Sequence, residues 1–336
     1  MAAKIVCALG ASHGPLLTIP PDKWYLRAEF DKKNPTHYYR GHVYDFDSLV
    51  KQRNGAFVDQ MTDAEKAKRH DRNQRALDQL TKRFREAKPD VVIIFGNDQR
   101  ELFQEDVTPA FLVYNGEKIE NVPFSPDKRD KIDPGVKVAE SGHVPPEGAV
   151  YKGAPDVANT IIETMIDNDF DVSTSERLPL VDGEPHGIPH AFGFLYRRIM
   201  EDNPPPSVPI FTNIGCEPNI VRAKRCVQLG HAVKKAIDKL PADLRVATIS
   251  SGGFSHFTID EDFDNEVMDA MKRGDEAKLG SFPESFFWGN TCETKSWFPN
   301  VALMNDVGRK LQMVDYVPCY RSIAGTGQAM AFGFWE

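Results

Sequence analysis

Three short apolar runs end alike, and that repetition limits the folds open to this chain. Lys4–Leu9 (KIVCAL) runs into Gly10-Ala11-Ser12-His13, and Asp90–Gly96 (DVVIIFG) runs into Asn97-Asp98-Gln99. Val246–Ile249 runs into Ser250-Ser251-Gly252-Gly253 and then His256. A continuous apolar run of this length is what a strand buried on both faces looks like. In open α/β sheets the crevice beyond the carboxyl ends of the strands is where ligands bind. The pattern therefore predicts an α/β fold around a central mixed sheet, with a site at one edge made from strand-end loops. Gly252 and Gly253 fit that place because glycine tolerates unusual backbone angles and lets another group approach closely. A histidine delivered there can titrate near neutral pH or bind a metal; a loop histidine that merely caps or packs is the plainer alternative.

Other elements follow in order. Thr62–Ala87 reads as a helix capped at Thr62 or Asp63, with Leu77, Leu80 and Phe84 as its apolar stripe and Pro89 as its stop. Further strands are expected at Pro109–Tyr114, Asp171–Ser175 and Val208–Ile214. Helices are expected at Asp156–Asp167, from His190 through Met200, at Ile220–Leu240, at Phe263–Arg273 and at Asn300–Leu311. Two stretches, about 17–58 and 116–150, lack a clear period and read as excursions: the first with one short helix, the second an irregular surface loop that could serve as a lid. No repeat or linker interrupts the chain, so residues 1–336 are expected to form a single catalytic domain.

Composition narrows the function. A net charge of −8 with no basic stripe argues against a nucleic-acid partner. Five scattered cysteines without a CxxC pair are neither a disulfide framework nor a zinc knuckle. No apolar segment is long enough to span a bilayer or act as a signal sequence, so the expected place is the cytoplasm, away from membranes. There is no GxSxG, no P-loop, no GxGxxG after a strand and no HExxH.

The polar candidates are His13, the Asn97-Asp98-Gln99 group, His256, His186 between prolines, and Glu293. Glu293 lies amid Phe286, Phe287, Trp288 and Trp297, where an unpaired carboxylate must find a cation, a donor or a metal. Lys295 is the basic residue nearest to it in sequence.

In order, GASHGP, GNDQ, PHG before a helix, SGGFSHF and a late glutamate followed by a tryptophan resemble the class III extradiol ring-cleaving dioxygenases. The likeness is to the protocatechuate 4,5-dioxygenase catalytic subunit and its single-chain relatives acting on gallate and 3-O-methylgallate. It implies a non-haem Fe(II) held by two histidines and a glutamate, with open positions for a catechol-type aromatic acid, such as a lignin-derived one, and for O2. By motif, His13 and Glu293 match ligands, His256 the acid/base, and His186 a substrate-side histidine; His190 reads as a helix-start residue. Where the family has Asn-Asp-His, this chain has Asn97-Asp98-Gln99. Gln99 could coordinate through its amide oxygen, His42 could enter instead, or the metal could be weak or absent. Tyr320, Arg321 and Thr326 are the candidates for a substrate carboxylate. A homodimer is expected. A non-oxidative metalloenzyme and a non-catalytic aromatic-acid-binding protein remain the alternatives.

Overall fold

The computed structural model describes residues 3–336, and eight strands form its main sheet. In chain order they are Lys4–Ala11 (β1), Val91–Gly96 (β2), Phe111–Tyr114 (β3), Ser173–Ser175 (β4), Ser207–Thr212 (β5), Arg245–Ser251 (β6), Leu311–Tyr320 (β7) and Gly327–Trp335 (β8). Their spatial order is β7-β8-β1-β6-β2-β5-β3-β4. The middle four, β1, β6, β2 and β5, run parallel, while β8 on one flank and β3 on the other run against them. The sheet is mixed, and the three runs that lead to His13, Gln99 and His256 are adjacent strands at its centre.

Register explains why their ends meet. Gly10 pairs with Ser250, and Ser250 with Phe95, so β1, β6 and β2 finish level with one another. Each run is buried on both faces because alternate side chains enter different cores. Val91, Ile93 and Phe95 pack on one face with the helices Pro155–Ile166, Ala223–Lys239, Glu261–Arg273 and Phe298–Asn305. Val92, Ile94, Ala247 and Ile249 pack on the other with the helices Asp63–Ala87 and His190–Arg198. The longest helix is capped by Thr62, whose Oγ1 accepts the Glu65 N–H, and it buries Leu77, Leu80 and Phe84 as expected. Among the described residues no helix is long and apolar enough to cross a membrane, and all five cysteines are unpaired.

Three expectations need correcting. The 17–58 excursion holds two helices, Tyr25–Lys33 and Phe46–Gln52, and a small hairpin, His37–Tyr39 with His42–Tyr44. Its anchors are polar: Arg27, Asp31 and His37 are buried, which no hydrophobic period reveals. The 116–150 stretch is likewise built, from a hairpin of Lys118–Asn121 with Ala149–Lys152 and two short helices. The expected Asn300–Leu311 helix ends at Asn305, and the tail beyond it is the β7–β8 hairpin, turning at Gly325, whose φ of +73° suits glycine.

Candidate active site at the carboxyl ends of the central strands

His13 follows β1, Gln99 follows β2 and His256 follows β6, and all three line one cavity of about 350 Å³ together with Glu293. Glu293 arrives on a 3₁₀ stretch, Gly289–Trp297, stapled to the loop after β6. Trp297 Nε1–H donates to Gly252 O at 2.9 Å, and Thr294 Oγ1 donates to Gly253 O at 3.3 Å. Thr291 Oγ1 accepts from His256 N and donates to His256 O, both at 3.1 Å. A Cβ on Gly252 would stand 2.3 Å from Glu293 O, so this glycine serves close backbone approach.

The carboxylate of Glu293, 2 % exposed, is the hub. Oε2 accepts Gly253 N–H at 2.8 Å and lies 3.4 Å from His13 Nε2. Oε1 lies 3.2 Å from His256 Nε2 and accepts the Gln99 amide at 2.5 Å. The opposite nitrogens of both rings are committed. Ser251 Oγ donates to Ala191 O at 2.5 Å, so it accepts from His13 Nδ1–H at 2.9 Å. His256 Nδ1–H donates to Phe254 O at 2.6 Å. Two Nε2 atoms are thereby aimed at one carboxylate, and His13 Nε2 is buried without a hydrogen-bond partner. Burial lowers the His13 imidazole below its ordinary value despite the neighbouring carboxylate. Burial alone would raise the Glu293 carboxyl, but His256 first and His13 second outweigh it and hold the group well below the usual range. A buried anion between two imidazoles calls for positive charge, from ring protons or from a metal ion.

Gln99 reaches this centre from a strained backbone, at φ +53°, with Arg100 beside it at +60°. Asp98 holds the turn by accepting Leu102 N–H and Phe103 N–H, each at 2.9 Å. His42 is exposed on its hairpin against Tyr44 and does not line the cavity.

His186 lines the cavity, half-buried, with Nδ1 unpartnered. His190 does begin a helix, but it also lines the cavity, its ring edge-on to His13 with centroids 4.9 Å apart. Its partner, missed in the sequence, is Glu101: Oε2 accepts the His190 backbone N–H at 3.0 Å, and Oε1 accepts Nδ1–H. Burial favours a neutral pair, yet the mutual attraction wins. It raises the His190 imidazole and brings Glu101 down to about 2. His143, also missed, is pushed down to about 3 by burial and by His190. Helix-start position and an acidic residue two places after Gln99 were the available signals.

Tyr320, Arg321 and Thr326 do not line the cavity. Arg321 is not a surface residue: it is 4 % exposed, and its fork meets Asp31 at 2.7 and 2.8 Å. Thr326 Oγ1 donates to the same carboxylate at 2.5 Å, and Tyr320 OH donates to Glu261. Arg321 has its carboxylate already, from the chain itself. Lys295 likewise does not pair with Glu293; it binds Glu284 at 3.2 Å and Val221 O at 2.9 Å.

A family model described as the catalytic LigB subunit of aromatic ring-opening dioxygenase matches residues 56–321. The chain belongs to the LigB family. That range takes in Gln99, His186, His256 and Glu293 and leaves out His13, which the fold alone brings to the others. A 2,3-dihydroxyphenylpropionate/2,3-dihydroxicinnamic acid 1,2-dioxygenase of Comamonas testosteroni is 30% identical over 168 residues, covering 50% of this LigB-family chain and 43% of that protein. A gallate dioxygenase of Pseudomonas putida is 30% identical over 136 residues, 40% of this chain and 38% of that one. The aligned stretches thus span less than half of either relative. An uncharacterized protein of Escherichia coli K12 superposes at TM-score 0.43 and 12% identity, over 78% of this chain and 91% of that one.

Proposed function

We propose that this LigB-family chain is an Fe(II)-dependent extradiol dioxygenase that opens the ring of a catechol-type aromatic acid of the protocatechuate, gallate or 3-O-methylgallate kind. The observation that carries the reading is the pair of buried imidazoles, His13 and His256, aimed at the Glu293 carboxylate on the wall of an aromatic-sized cavity. Among the described residues no three His, Cys, Asp or Glu side chains stand ready-spaced as a metal cluster. The chemistry of the donors nonetheless fits a small divalent ion: a partnerless buried imidazole nitrogen, a carboxylate and an amide. His13 and Glu293 would hold it, with Gln99 as the third side chain. Fe(II) bound there would supply open positions for the diol oxygens and O2, and would acidify the hydroxyls.

The chain's own residues do the rest. His256, fixed through Nδ1–H on Phe254 O, turns Nε2 toward the Glu293 carboxylate at 3.2 Å, where it would take the second hydroxyl proton and return it as the ring opens. His186 presents an unpartnered Nδ1 on the wall and can hold or give a proton at the substrate. Phe124, Phe194 and Phe257 supply an apolar lining that excludes water from the ring. Both atoms of O2 enter the product. The test is oxygen uptake by Fe(II)-loaded protein with a small panel of catechols and gallates, paired with product mass. A mass gain equal to one O2 supports the reading. A Lewis-acid enzyme, which the neutral Gln99 would tolerate, would bind metal and transform its substrate without oxygen uptake.

A further inference from the structure

With Arg321 neutralised by Asp31, a charged substituent in the cavity must meet another group, and the cavity lining has one. Arg27, on the helix Tyr25–Lys33, lines the cavity with a guanidinium that is only partly used. NH1 donates to Asp133 Oδ1 at 2.9 Å, but Nε is buried without a partner. Asp133 is itself shared, since Oδ1 also accepts the Gly135 N–H at 2.9 Å as the cap of a short helix. Arg27 sits over the Phe257 ring, 5.9 Å from its centroid, and Phe257 directly follows His256. A second cation, Lys128, lines the same cavity, 5.0 Å from the Phe124 centroid, and among the described residues it has no carboxylate partner. The two acids on the cavity surface are already engaged, Glu101 with His190 and Glu293 at the centre.

We infer that Arg27 and Lys128 form the subsite that receives the anionic substituent of an aromatic diol acid, holding its carboxylate while the diol faces His13 and Glu293. This rests on the ring-opening reading and adds to it the residues that choose the substrate. Arg27 lies outside residues 56–321, so the group comes from the chain's own excursion and not from the part that matches the family. A guanidinium with an unpartnered Nε suits a carboxylate, and Phe257 beside Arg27 and Phe124 beside Lys128 supply apolar surface for the ring.

The test is anaerobic calorimetry on the full Fe(II)-loaded chain, where binding proceeds without turnover. The probes are 3,4-dihydroxybenzoate and 3,4-dihydroxybenzyl alcohol, which differ in the carboxylate. The acid should bind about tenfold or more tightly than the alcohol, the weight of a hydrogen bond between charged groups. Lys128→Met and Arg27→Gln should each reduce that preference about tenfold and leave alcohol binding unchanged. If Arg27→Gln fails to fold for want of its Asp133 pair, Lys128→Met carries the test alone. Equal binding of acid and alcohol, or equal weakening of both by Lys128→Met, overturns the subsite. If both probes bind alike and are still opened with oxygen uptake, the subsite falls while the dioxygenase reading stands; if neither binds the native chain, both fall.

Discussion

Gln99 donates its side-chain amide to Glu293 Oε1 at 2.5 Å, joining the turn after β2 to the stretch that crosses the ends of β2 and β6. The residue that departs from the Asn-Asp-His pattern is therefore built into the centre. An amide adds no charge and is a weaker donor to iron than imidazole. Gln99→Ala should weaken Fe(II) binding by about 10- to 100-fold, the range for losing a group that orients a ligand. Gln99→His should tighten it. Anaerobic Fe(II) titration reads both, and unchanged affinity in the two variants would remove Gln99 from the centre.

His13 and Glu293 are the proposed holders of the metal. His13→Ala and Glu293→Ala should each purify without iron and show no oxygen uptake, with circular dichroism unchanged. The competing idea, a structural Glu293–Lys295 pair, has lost its footing because Lys295 is engaged by Glu284. Stoichiometric iron in Glu293→Ala would sink the assignment.

His256 faces the same carboxylate as His13, so its role needs its own measurement. As proton carrier, its replacement in His256→Ala should lower turnover about 10²- to 10⁴-fold with iron content nearly unchanged. Iron lost from a folded His256→Ala protein would make it a ligand instead.

The Asp31–Arg321 pair holds the first excursion to the β7–β8 turn, with both side chains wholly buried. Asp31→Ala leaves an uncompensated buried guanidinium and should cost about 3–5 kcal/mol of stability. Urea denaturation of the variant against the native chain measures it; a loss below about 1 kcal/mol, the scale of a surface pair, would contradict the buried geometry.

The sequence showed most where burial leaves a pattern. The runs at β1, β2 and β6 were legible because both faces of each are covered, and their level ends brought His13, Gln99 and His256 together. Glu293 stood out through its aromatic neighbours. What stayed hidden was held by polar contacts between residues far apart in the chain. Asp31 and Arg321 are 290 positions apart, and nothing near either announces the other. His190 looked like a helix start because it is one; only the fold sets its ring against His13 and its Nδ1 on Glu101. The tail strands were missed because Pro318 and a run of glycines and alanines obscure the period that marks β7 and β8.

The most direct test of the central claim is oxygen consumption by the native chain, loaded with Fe(II) under anaerobic conditions and then given a catechol acid and air. Uptake of one O2 per substrate, a product heavier by both oxygen atoms, and loss of both signals in His13→Ala are expected. Iron bound at full stoichiometry with no oxygen uptake on any diol of the panel would contradict it.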